Sequence, residues 1–153
     1  PPLFGLASKF REVNLTAQLD LGNFDPTRII LSGDFVKNIG FDQQEILQVT
    51  GLDIEPRTIG YQAKLSVGRP KITKAGQWQA WIGYEYLERD AVLDAFNDSD
   101  FHLGGTDAKG WFIGGTLGIA NNTSLRLRYL SANSIDLPPL AIDVFQMDIT
   151  AKF

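Results

Sequence analysis

Few side chains in this 153-residue sequence could do covalent or metal chemistry. It contains no cysteine and one histidine, His102, which removes thiol catalysis and disulfides and argues against a histidine-based triad or zinc site. Asp98, Asp100 and His102, with Asp94 or Asn97 nearby, could hold a cation, but the D-x-D-x-D-G spacing of a calcium loop with its later glutamate is missing. The same Asp, Asn and Ser cluster is ordinary turn chemistry for a solvated loop. Glu85 and Glu88 could form a carboxylate pair for acid–base work, yet on a strand their odd spacing turns them to opposite faces. Gly104-Gly105 and Gly114-Gly115 are not phosphate loops, since neither a lysine–serine pair nor a helix start follows them. Ser131 has no histidine near it in sequence and no nucleophile elbow around it. Neither an enzymatic activity nor a cofactor is expected.

Charges that could act together lie elsewhere, at Asp20, Asp34, Lys64, Glu85, Arg126, Arg128, Asp148 and Lys152. All sit among polar neighbours in stretches that alternate polar and apolar residues, so one surface should collect them. Positioning them requires strands. Period-2 alternation occupies seven segments, at about 9–21, 27–38, 59–69, 77–89, 109–120, 123–133 and 142–153, punctuated by fifteen glycines, seven prolines and Asn/Asp clusters. The connections alternate in length: short at Gly22 to Pro26, 70–77 and Asn121-Asn122, long at 39–58 and 90–108, and intermediate at 134–141. Within the first long loop, Asp42, Glu45 and Gly51 read as a capping box and glycine stop around a brief helix. Residues 90–96 could make two helical turns.

Sorting each strand into its faces gives one side without charge. It carries Val13, Leu15, Ala17, Leu19 and Leu21 on the first strand, and the later strands continue in the same way. The other side carries the eight charges, with Ile30, Trp81 and Phe112 as its large apolar exceptions. Such a pattern fits a soluble barrel with its apolar side inward or a membrane barrel with its apolar side toward lipid. Aromatics favour the second. Phe35, Tyr61, Tyr84, Tyr86, Trp111, Tyr129 and Phe145 gather near the long-loop end of the apolar face, Trp78 and Phe153 mark its short-turn end, and aliphatic residues fill the middle. Amphipathic rings prefer the headgroup level of a bilayer, whereas a soluble core has no reason to sort rings by height.

The final strand places Phe145, Met147, Ile149, Ala151 and Phe153 on one face. It resembles the C-terminal strand of bacterial outer-membrane barrels, which the barrel-assembly machinery is thought to read. A closer likeness runs through Gly83-Tyr84-Glu85-Tyr86-Leu87-Glu88-Arg89-Asp90, Ala91 to Phe96, Asp98-Ser99-Asp100-Phe101, Gly104-Gly105-Thr106 and Lys109-Gly110. These residues resemble the C-terminal region of the "putative porin" family of Gram-negative bacteria. The resemblance implies an outer-membrane channel in contact with membrane lipid and lipopolysaccharide, passing small hydrophilic solutes passively. Members of that family are longer, with more strands upstream.

The expectation is thus an all-β, antiparallel transmembrane barrel in the bacterial outer membrane, with residues 1–153 as the C-terminal portion of one barrel domain. A non-conducting barrel that anchors or binds at the cell surface is the alternative, and a soluble ligand-binding barrel is a third. Fourteen basic against eighteen acidic residues, a net charge of −4, leave no basic excess for nucleic acid. No run of eighteen apolar residues offers a transmembrane helix, and Pro1-Pro2-Leu3-Phe4 has the form of a mature or truncated end. Single-chain bacterial barrels have even strand numbers of roughly eight or more. Seven strands therefore predict a missing upstream partner for the first strand, from the same protein or another chain. Pairing outward from 134–141 sets Arg128 opposite Gln146 and Arg126 opposite Asp148, and across 70–77 it makes Lys64 and Glu85 diagonal neighbours on the charged side. Four basic and four acidic residues there predict little ion preference.

Overall fold

Alternating sequences of β-branched, aromatic and polar residues form strands because each side chain then meets a cross-strand neighbour on its own face. The computed structural model describes residues 9–92 and 101–152. Its strands are β1 (Glu12–Leu21), β2 (Arg28–Asn38), β3 (Ile59–Gly68), β4 (Trp78–Leu87), β5 (Ala108–Ala120), β6 (Thr123–Ser134) and β7 (Ala141–Ala151). They form one antiparallel sheet of seven strands in sequence order, each paired with the next. Its outer strands, β1 and β7, do not pair with each other, so the described sheet is open.

The connections are polarised as their sequence lengths require. Residues 22–27, 69–77 and 121–122 turn at one end, and 39–58, 88–107 and 135–140 cross at the other. A helix, α1 (Gln43–Thr50), interrupts the first long connection. Asp42 caps it, accepting from the backbone N–H groups of Gln44 and Glu45 at 3.0 Å each. Gly51 ends it in the left-handed region at φ 72°, which lets its N–H close on the Leu47 carbonyl at 2.9 Å. Eight residues are too few to cross a bilayer. The second expected helix falls mainly on residues outside those described; Asp90 to Val92 form a turn and bend.

The sheet curls toward its charged side. Trp81 and Leu130 on that side are only 7% and 3% exposed, whereas Leu15, Phe145 and Ile149 on the apolar side are 68%, 67% and 66% exposed. This is the reverse of a soluble sandwich, whose apolar side would be covered.

Candidate functional site

On the apolar surface the aromatic residues follow one oblique line. Phe35, Tyr61 and Tyr86 share a cross-strand rung; Tyr84 and Trp111 share the next rung toward the short turns, and Tyr129 and Phe145 the one after. Tyr61 and Tyr86 stack with centroids 5.1 Å apart, and Tyr84 meets Trp111 edge-on at 4.8 Å. A descent of two rungs between β2 and β7, with about 3.3 Å per residue and about 4.8 Å between strands, inclines this line by roughly 30° to the rungs. Beyond it, toward the long loops, the same face turns polar at Lys109, Ser131, Asn133 and Asp143. Trp78 lies near the short-turn end, and Phe153 lies outside the described residues. Met147, Ile149 and Ala151 continue the exposed face of β7.

The charged surface carries Asp20, Asp34, Lys64, Glu85, Arg126, Arg128 and Asp148 within its strands, and Lys152 follows β7. One rung joins β1 to β4 through Thr16, Asp34, Gln62 and Glu85. The Thr16 hydroxyl donates to Asp34 at 2.7 Å, and the Gln62 amide donates to Glu85 at 2.8 Å. Asp20 pairs with Arg28 at 3.0 Å. On the other flank Arg128 stands opposite Gln146, as expected, and its Nε donates to the amide oxygen at 2.8 Å.

Arg126 also has the expected register, opposite Asp148, but its guanidinium goes elsewhere. It lies over the Trp81 ring, 4.9 Å from the centroid, and Lys64 Nζ approaches the same ring at 5.5 Å. The reason is local. Trp81 faces Gly114 in the register, and a Cβ at Gly114 would come 2.5 Å from the indole, so only glycine lets the ring lie down on β5. Phe112 lies over Gly83 in the reciprocal arrangement. The flattened indole offers its negative face to the cations, an attraction of about 0.5–2 kcal/mol that competes with an exposed ion pair of similar size.

Toward the long loops the charged face becomes apolar, more so than Ile30, Trp81 and Phe112 alone implied. Phe101 folds inward to 1% exposure and packs with Ala108, Leu130 and Ala132, flanked by Phe112 and Val144. Phe101 belongs to the second long connection, so the described end of that loop covers part of the charged surface. Sequence reasoning missed it, because a lone phenylalanine after a polar loop has no periodicity to betray its direction.

Arg57 ties the three long connections together, reaching Asp136 at 2.8 Å, Glu55 at 3.3 Å and Glu88 at 3.9 Å. Asp107, 1% exposed, accepts from the backbone N–H groups of Asp136 and Leu137 at 3.0 Å each. Burial pushes the Asp90 carboxyl above its ordinary range and Glu88 adds to the shift, while Arg89, donating at 3.1 Å, opposes it. Asp107→Ala would remove two part-buried hydrogen bonds to a charged acceptor, a loss of about 1–3 kcal/mol. Limited proteolysis should then cut residues 135–140 faster than in the native protein; an unchanged digest would show that those groups find other partners.

His102 Nε2 lies 3.2 Å from the Leu140 carbonyl oxygen, which a protonated Nε2 can satisfy. The other members of the possible cation cluster, Asp94, Asn97, Asp98 and Asp100, lie outside the described residues. Among the described residues no three metal-ligating side chains converge.

An antiparallel sheet with an exposed apolar face, an oblique aromatic line and a charged concave face has the architecture of a porin wall. A family model described as "Putative porin" matches residues 1–153, the whole chain, and the chain belongs to that family. No curated protein and no solved structure matches it significantly.

Proposed function

We propose that this chain forms part of a bacterial outer-membrane porin barrel through which small hydrophilic solutes diffuse passively. The observation that carries this reading is the inverted surface: aliphatic side chains are exposed while charged ones line the concave side. Trp111 to Ile119 on β5 runs about 27 Å at roughly 3.4 Å per residue, which after inclination suits the ~25 Å apolar band of such barrels. The oblique line of rings is the headgroup belt, and its slope agrees with strands tilted against the bilayer normal. Bare backbone groups cannot face hydrocarbon, so in the membrane the edges of β1 and β7 pair with further strands of the same protein or of another chain. The face of β7 is the segment offered to the barrel-assembly machinery, and lipid with lipopolysaccharide surrounds the outer face.

Planar-bilayer recording of the full native protein tests the reading. Discrete, ohmic current steps are expected; a folded, inserted protein that passes no current would favour the surface anchor. The long connections face outward in this reading, so a tag inserted after Asp53 should be reachable on intact cells. Labelling only after the outer membrane is broken would invert the orientation. Wall charges balance four to four, which leaves little ion preference. Replacing Arg126 and Arg128 together with serine should move the reversal potential toward cation selectivity, and an unchanged potential would mean that ions pass away from β6.

A further inference from the structure

The wall charges balance in number but not in place. Asp20 and Asp34 lie on β1 and β2, whereas Lys64, Arg126 and Arg128 converge on a recess of about 170 Å³ around Trp81. Among the described residues Glu85 is the one carboxylate lining this recess, and it already accepts from Gln62 at 2.8 Å. Among the described residues neither Lys64 nor Arg126 has an ion pair; both are held over the indole instead. A ring quadrupole orients a cation without neutralising it, so two like charges stand close together in a partly enclosed space. The recess has a second, apolar side. Phe101, Phe112 and Leu130 line it, and Phe101 is packed there against Ala108, Leu130 and Ala132.

We propose that this recess binds a small organic anion with an apolar body, the class that aromatic carboxylates represent. The carboxylate would lie against Lys64, Arg126 and Arg128, where charge-assisted hydrogen bonds to guanidinium are strongest. Its ring would lie against Phe101, Phe112 and Leu130. The volume is below the roughly 300–1,000 Å³ of pockets for drug-sized ligands, so the occupant is small. An inorganic anion would leave the apolar side unused, and a neutral ring would leave Lys64 and Arg126 without a counter-charge among the described residues. The inference deepens the porin reading by giving its wall a preferred solute, and it depends on that reading only for the solute's route.

Calorimetric titration of the full native protein in detergent with sodium benzoate tests it, with acetate, phosphate and benzamide as the comparison probes. Saturable benzoate binding is expected, about tenfold or more tighter than any comparison probe, since benzamide lacks the charge, acetate and phosphate lack the apolar ring, and either loss has about that effect. Arg126→Gln and Lys64→Gln should each weaken benzoate by about tenfold. Arg126→Lys, which keeps the charge, should retain most of the affinity, and Phe101→Ala should erase the preference for benzoate over acetate. Variants are compared only when their circular dichroism matches that of the native protein, and Arg126→Lys or Phe101→Ala decides the matter if a glutamine variant does not fold. Equal binding of all probes, or benzoate binding indifferent to these substitutions, overturns the proposal. Bilayer recording on the same preparation separates the two readings. Conductance without benzoate binding removes the recess and leaves the porin; benzoate binding without conductance keeps the recess and removes the porin.

Discussion

Ile82→Lys is expected to destabilise the membrane-inserted protein strongly, while Gln79→Lys three residues away on the same strand is tolerated. Ile82 lies midway along the apolar face, between Leu65 and Ile113, and is 43% exposed. In a soluble protein so exposed a position accepts lysine within about 0.5 kcal/mol. Facing lipid near the bilayer midplane, the same lysine costs about 2–4 kcal/mol, a large part of a typical stability of about 5–15 kcal/mol. Gln79 lies on the charged face between Gly68 and Thr116, where water reaches the new ammonium. Urea titration of protein folded into lipid vesicles measures both. Equal stabilities for the two variants would sink the assignment of the apolar face to lipid, whatever the conductance.

Gly110→Ala should be strongly damaging, and Gly33→Ala should be harmless. At Gly110 a Cβ would press into the Ser131 carbonyl oxygen and lie 2.7 Å from Ala132 Cα. These are backbone atoms of the paired strand β6 and cannot rotate away, so β5 and β6 would have to separate. Overpacking of this kind costs about 1–3 kcal/mol. At Gly33 the nearest heavy atom is the Gln62 carbonyl oxygen at 3.8 Å, an ordinary contact. Alanine there reduces the freedom of the unfolded chain and is favourable by about 0.5–1 kcal/mol. The same urea titration reads both signs, and a harmless Gly110→Ala would mean that the β5–β6 ladder is looser than its register.

The strands were legible because their signal is local. Alternation set all seven within a few residues, and hairpin arithmetic from the 134–141 connection placed Arg128 opposite Gln146 and Arg126 opposite Asp148. Asp42 and Gly51 bounded α1 by the hydrogen bonds they supply or permit. The candidate recess was less legible. Trp81 and Phe112 stood out as apolar exceptions on a charged face, yet nothing in their spacing revealed that each lies over a glycine of the neighbouring strand. Lys64 and Glu85 are diagonal neighbours as expected, but Glu85 takes the directly opposite Gln62, whose amide is nearer.

Sequence alone determined which residues share a face, the polarity of the loops and the family, since period, punctuation and motif are properties of neighbours along the chain. Tertiary structure decided which side is concave, that β1 and β7 stay apart in the described sheet, and how the wall charges are distributed. It turned Arg126 from Asp148 to Trp81 and carried Phe101 inward across the charged face. The physical reason is reach. A strand's period constrains a side chain to one face, but a long cation chooses among partners on other strands, and a loop phenylalanine buries itself wherever the curl of the sheet leaves an apolar surface to cover.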